Sequence, residues 1–241
     1  MHIKGFIYSI CGIAILLLLV FLPCESLSTP YFEDRLIYEV KTKEKVVAIT
    51  FDDGPHPIYT PQILDILDKY RIKASFFLIG SQMDKHPEIV VDIFARGHVV
   101  GNHTYHHYGN LKEKEKEVIL SELKQWDQTM KKINGQKTGL FRPPRGFIGG
   151  DILLAAEDNG DSTIMWTICA DNRNAPTPEL MARRVEENIG PGGIILLHDG
   201  VSKARWKDVK ASELIIKSLS AQGYRFVTIP ELIELGKKEK E

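Results

Sequence analysis

From residue 45 onward the chain alternates between two kinds of segment. Short uncharged runs rich in Val, Ile, Leu and Phe read as buried strands, and longer segments with apolar side chains every three or four positions read as helices. Strands are expected at 46–51, 74–79, 98–101, 139–141, 162–168, 193–197 and 225–228. Thr60 and Pro61 read as N-cap and first helical position before the face formed by Ile63, Leu64, Ile66 and Leu67. Pro87 opens a second helix that Gly97 closes, and Ile119, Leu123, Trp126, Met130 and Ile133 mark a long third one behind a solvated Lys and Glu run from Lys112 to Glu117. Further helices are expected near 151–159, 178–189 and 212–222. About seven strand–helix units with right-handed crossovers make an α/β fold, either an open doubly wound sheet or a barrel, and propensity alone does not choose between them.

The first residues follow a different pattern. Residues 5 to 22 carry no charge, are dominated by Ile, Leu, Val and Phe, and follow Lys4, which is the pattern of an export signal. The stretch lies between the roughly 7 to 15 apolar residues of a cleaved leader and the roughly 20 of a spanning helix. Cys24, Ser26 and Ser28 offer small residues for cleavage, while Pro23 and Phe21 fit a lipid-attachment signal at Cys24 poorly. The expected organisation is a signal peptide or membrane anchor over 1–28, a spacer over 29–44, a catalytic domain over 45–236 and a charged tail over 237–241. Only Cys169 lies in that domain, so no internal disulfide is expected there. With 31 basic and 32 acidic residues and a formal charge of -1, no strong field favours nucleic acid or an anionic membrane. A neutral partner such as a glycan suits that balance, and membrane contact is expected through the N-terminal segment alone.

In a parallel α/β fold, reactive groups gather where strands end. Asp52 and Asp53 follow the first expected strand, His103 to His107 the third, Arg142 the fourth, Asp171 the fifth and His198 the sixth. Asp52 and Asp53 stand before Gly54 and Pro55, so two carboxylates share a tight turn, one free to ligate a metal and the other to handle protons. His103 and His107 are four apart, and on a helical turn both imidazoles would project from one face onto one cation. Four of the eight histidines fall within 98–107. His106 is expected to point elsewhere and His98 to pack at a strand end. Two histidines and Asp53 would leave coordination positions open for water and substrate, as hydrolysis needs, and suit zinc or another divalent transition metal.

Four motifs in order, Thr50-Phe51-Asp52-Asp53-Gly54, His103-Thr104-Tyr105-His106-His107, Arg142-Pro143-Pro144-Arg145-Gly146 and Leu196-Leu197-His198-Asp199, resemble the signature of the NodB-like polysaccharide deacetylases, carbohydrate esterase family 4. The resemblance covers about residues 45 to 230. It implies a distorted, incomplete (β/α) barrel and one divalent ion, zinc in the first place, with cobalt, nickel, manganese or iron as alternatives. It further implies Asp52 as general base, Asp53, His103 and His107 as metal ligands, Arg142 orienting Asp52, and His198 as general acid. Thr104 would support the metal-binding turn, Leu196 would line the acetyl pocket, and the backbone N–H of Arg145 would help hold the oxyanion.

Two positions depart from the family pattern. Arg145 stands where an aromatic residue is usual, which adds a charge at the pocket rim. The fourth motif, normally Asp followed by Trp, has its nearest match in Asp171-Asn172, so Asp171 is assigned to tuning His198. Trp166 reads as a core residue inside its strand, and Trp206, expected in the loop after His198, is the candidate sugar-stacking residue. The expected function is exported, monomeric N-deacetylation of peptidoglycan or a chitin-like GlcNAc polymer, facing the cell exterior. Its rivals are O-deacetylation of a xylan-type polysaccharide and noncatalytic wall binding.

Overall fold

A computed structural model describes residues 35–133, 136–171 and 174–239. The expected export signal or anchor, with Cys11, Cys24 and the cleavage positions, lies outside the described residues, as does Asn172. Among the described residues, nine strands form one sheet: β1 (Leu36–Ile37), β2 (Val46–Asp52), β3 (Ser75–Leu78), β4 (Val99–Asn102), β5 (Leu140–Phe141), β6 (Ser162–Ile164), β7 (Ile168–Cys169), β8 (Gly193–His198) and β9 (Arg225–Val227). Their order is β1-β6-β5-β4-β3-β2-β8-β7, with β9 beside the first half of β2, and every pairing between them is parallel. The helices are α1 (Tyr59–Lys69), α2 (Gly80–Met83), α3 (Pro87–Ala95), α4 (Lys116–Ile133), α5 (Gly150–Asp158), α6 (Pro178–Asn188), α7 (Trp206–Ala221) and α8 (Ile229–Lys238). The sheet curls into the expected incomplete barrel.

Alternation along the strands separates two layers. On β2, Val47, Ile49 and Phe51 belong to the outer cluster beneath the helices, while Val46 and Ala48 belong to an inner one. Thr50 and Asp52 continue the inner face by the same period of two. On β8, Ile195 and Leu197 face outward and Ile194 inward, so Leu196 and His198 follow it inside. Ile229 and Leu232 of α8 close the apolar end of the interior, and the polar end opens where the strands stop. A capping box between Thr228 and Glu231 fixes the start of that closing helix.

Five sequence expectations change. The strand expected over 162–168 is broken at Met165–Thr167: Met165 N–H donates to Ile37 O, whereas Thr167 N–H donates to Ile194 O, so the segment carries the sheet across from one edge to the other. The break also turns the Ile164 and Met165 carbonyls toward the guanidinium of Arg142. Residues of the expected spacer join the sheet as β1, and Val40 N–H bonds Gly192 O. Thr60 is not an N-cap, because α1 begins at Tyr59 and the Thr60 hydroxyl lies 2.5 Å from Oδ2 of the buried Asp199. Finally, α7 starts at Trp206, six residues ahead of the expected helix, and α8 reaches Lys238 in the expected tail.

Candidate active site

Asp52 and Asp53 stand at the end of β2, and Cα pairing in register sets Asp52 beside His198 at the end of β8. Neighbouring parallel strands lie about 4.8 Å apart, so the two side chains leave the sheet together on its inner face. Asp53, Thr104, His107 and Arg145 all adopt positive φ, 75°, 62°, 57° and 60°. Non-glycine residues rarely do so, and here four of them gather at the strand ends that carry the expected site.

His103 Nδ1 lies 2.7 Å from Arg142 O. Donation from that nitrogen leaves the Nε2 lone pair facing Asp53, whose Oδ1 is 3.5 Å away. His107 Nε2 is 3.3 Å from the same oxygen. Donors about 2.0–2.1 Å from one tetrahedral ion stand roughly 3.3 Å from each other, so this set of two imidazoles and one carboxylate fits a zinc-like ion. The two histidines are not on a helical turn, contrary to expectation. They sit on an irregular loop braced from within: His107 N–H donates to Thr104 Oγ1, Thr104 N–H to Asn102 Oδ1, and Asn102 Nδ2 to Leu123 O. His106 turns away, its ring and its N–H both bonded to the buried Glu122. Burial opposes charge on Asp53, but the neighbouring imidazoles of His103 and His107 outweigh it and hold the carboxyl well below its usual range.

Beside this cluster, Asp52 Oδ1 accepts from Arg142 Nη1 at 2.7 Å, and its Oδ2 is 3.9 Å from His103 Nε2. Arg142 is fully buried, with Nη1 also on Thr50 Oγ1, Nε on Ile164 O, Nη2 on Met165 O, and its guanidinium carbon 4.0 Å from the Phe77 ring centre. Its geometry is therefore fixed from every side.

His198 Nδ1 is buried, with Asp171 Oδ2 at 3.6 Å and Asp208 Oδ1 at 4.0 Å, while the His198 N–H donates to Asp208 Oδ1. Burial pushes the Asp208 carboxyl up to about 6. Asp171 is held below the usual range, because His198 and Arg205 outweigh the burial that opposes its charge. Asp199, fully buried behind Gly54, is pushed up to about 7 by that burial.

Among the remaining expected residues, Leu196 is buried on the inner face of β8. Arg145 is exposed, beside Gly109. Trp166 is half-buried against Gly146, its ring centre 5.8 Å from the Arg142 guanidinium carbon, in the strand break rather than inside a strand. Trp206 is 45% exposed as the first residue of α7 rather than in a loop, with Lys210 Nζ 5.2 Å from its ring centre. Arg205, Asp208 and Glu122 escaped the sequence reading, since each is a single charged residue outside any motif. Asp199 stands in the last motif, but only the fold gives it a partner.

A family model described as polysaccharide deacetylase matches residues 39–164. A peptidoglycan-N-acetylglucosamine deacetylase of Bacillus cereus is 39% identical over 201 residues, covering 81% of this chain and 92% of that protein. The peptidoglycan-N-acetylmuramic acid deacetylase PdaC of Bacillus subtilis is 35% identical over 202 residues, 84% of this chain and 41% of that longer protein. Among solved structures, the Bc1960 peptidoglycan N-acetylglucosamine deacetylase superposes with a TM-score of 0.78 at 32% identity, covering 82% of this chain and 92% of that one. With the matched residues spanning more than half of its length and the fold in agreement, the chain belongs to the polysaccharide deacetylase family.

Proposed function

We propose that the protein removes N-acetyl groups from the glycan strands of peptidoglycan, at GlcNAc or MurNAc units, with one divalent metal ion held by Asp53, His103 and His107. The observation that carries this reading is the convergence of Nε2 from both histidines on one Asp53 oxygen, at 3.5 and 3.3 Å, next to a carboxylate clamped by a buried arginine. Zinc is the first choice, and cobalt, nickel, manganese or iron would suit the same donors.

When bound, the ion supplies Lewis-acid polarisation of the acetyl carbonyl and acidifies a coordinated water. Asp52 takes the proton of the attacking water on Oδ2, because Oδ1 is committed to Arg142. His198 delivers a proton from Nε2 to the departing sugar nitrogen, its Nδ1 side being backed by Asp171 and Asp208. The Arg145 N–H donates to the developing oxyanion, Leu196 receives the acetyl methyl, and Trp206 stacks on the glycan at the rim. The exposed Arg145 side chain favours a substrate with an acidic substituent, which the free carboxylates of a stem peptide on a muramoyl unit provide.

The substrate lies outside the cell, so the reading requires export through residues 1–28, by a cleaved signal or a retained anchor, and contact with the membrane only there. No helix among the described residues is long and apolar enough to cross a membrane. The working unit is taken as a monomer. The test is a panel of defined muropeptides, chito-oligosaccharides and acetylated xylan, with mass detection of acetyl loss. Loss from muropeptides supports the reading, loss from xylan alone supports an esterase, and glycan binding with no acetyl loss from any of them supports a noncatalytic wall-binding protein.

A further inference from the structure

The side chain of Arg205, only 16% exposed, reaches three carboxylates that arrive from three parts of the fold. Nη1 lies 2.8 Å from Asp171 Oδ2 and 3.5 Å from Asp208 Oδ2, and Nη2 lies 3.5 Å from Asp53 Oδ2. Nε donates to Gly200 O at 3.2 Å, which fixes the plane of the fork. Two consequences follow from these positions. On Asp53, Oδ1 faces both histidines and Oδ2 faces the guanidinium, so one oxygen is reserved for the cation. On the other side, Asp171 and Asp208 stand 3.6 and 4.0 Å from His198 Nδ1, beyond hydrogen-bonding distance, while each also holds Arg205. Asp171, His198 and Asp208 lie close enough to ligate a second cation, but the guanidinium already supplies the positive charge among their carboxylates.

We propose that Arg205 is a positioning residue that ties the cation site to the acid histidine: it fixes which oxygen of Asp53 faces the ion and holds Asp171 and Asp208 at their distance behind His198, with Asp208 a second carboxylate partner of that ring. The inference rests on the deacetylase reading above. The charged groups around His198 are Asp171 from the loop after β7, Asp208 and Arg205 from the start of α7 and the turn before it, and Asp52 and Asp53 from the end of β2. Removing the cation of Arg205 leaves the carboxylates uncompensated and favours imidazolium, whereas neutralising Asp208 does the opposite.

The test compares zinc-loaded full-length protein with Arg205→Met, Arg205→Lys and Asp208→Asn. Readouts are kcat and KM for muropeptide deacetylation, zinc affinity by chelator competition, and the His198 titration midpoint by imidazole NMR, assigned through His198→Gln. Arg205→Met is expected to lower kcat by about 10- to 100-fold with KM within threefold, and to weaken zinc binding, as loss of groups that orient metal ligands does. Its His198 midpoint rises, that of Asp208→Asn falls, and Arg205→Lys returns most of the way to wild type. Wild-type kcat and midpoint in Arg205→Met would overturn the proposal, as would equal losses of kcat in Arg205→Met and Asp208→Asn with neither midpoint moved, which marks a merely structural role. If Arg205→Met does not fold, the midpoint shift of Asp208→Asn and the zinc affinity of Arg205→Lys decide the question. A wild-type protein that releases no acetate sinks the deacetylase reading instead, and the midpoints still report on Arg205.

Discussion

Arg142 Nη1 lies 2.7 Å from Asp52 Oδ1, in a pair of which the arginine is wholly buried and the aspartate nearly so. The guanidinium also satisfies Thr50 Oγ1 and the carbonyls of Ile164 and Met165, so it fills the space that the break between β6 and β7 opens. Arg142→Met would leave a buried carboxylate and two carbonyls without their donor, and breaking such a pair costs about 3–5 kcal/mol. Urea unfolding should register that loss. Arg142→Lys should fold better yet stay at least about 100-fold less active, since a point charge cannot replace the fork that orients Asp52. Unchanged stability in Arg142→Met would contradict this view of the pair.

Stability should depend on pH through His98. Its Nδ1 accepts the Ala74 N–H and the ring is buried against Phe76, so the neutral form is required, and burial lowers its pKa to about 4. Between about 6.5 and 4 the unfolded chain binds a proton that the folded chain refuses, so stability falls as pH falls through that window. The full effect is about 3 kcal/mol. Denaturant titrations at pH 7 and pH 4 should show wild type losing about that much more than His98→Asn. Parallel losses in the two proteins would contradict the assignment.

Gly200 packs against the backbone of Asp53 and Gly54 so closely that a Cβ would collide with Asp53 O and crowd Gly54 N. Gly200→Ala should therefore displace Asp53 and reduce metal affinity by about 10- to 100-fold. Gly190→Ala, where a Cβ meets nothing within 4 Å, serves as the neutral comparison. Chelator competition checks both, and equal affinities would show that the loop tolerates the shift.

Trp206 is the exposed aromatic at the start of α7, next in sequence to Arg205. Covering about 40 Å² of apolar ring surface with a sugar contributes roughly 1 kcal/mol. Trp206→Ala should therefore raise KM about 2- to 10-fold with kcat unchanged. A fall in kcat with KM unchanged would place it outside the binding role.

Much of this architecture is legible in the chain. Buried parallel strands leave uninterrupted apolar runs, and the loops after them hold Asp52, Asp53, His103, His107, Arg142 and His198 at spacings that the fold then closes around one point. The losses have physical causes. Residues 162–168 form a continuous β-favouring run, and only closure of the sheet, with Arg142 drawing on the Ile164 and Met165 carbonyls, breaks it. The expected helical turn at His103 and His107 fails because side-chain bonds from Thr104 and Asn102 stabilise an irregular loop with positive φ. Arg205 and Asp208 carry no periodicity or motif, since their roles arise from contacts with residues more than 30 positions away or across the turn into α7.

In the proposed mechanism one cation on Asp53, His103 and His107 works with Asp52 as base. Metal content and acetate release from muropeptides, measured on the same preparations of wild type, chelated wild type and Asp52→Asn, test it most directly. One equivalent of metal per chain is expected in wild type and in Asp52→Asn, with release abolished by chelation, restored by zinc, and lowered about 100- to 10,000-fold in Asp52→Asn. Undiminished release from chelated protein, or from metal-loaded Asp52→Asn, would contradict it.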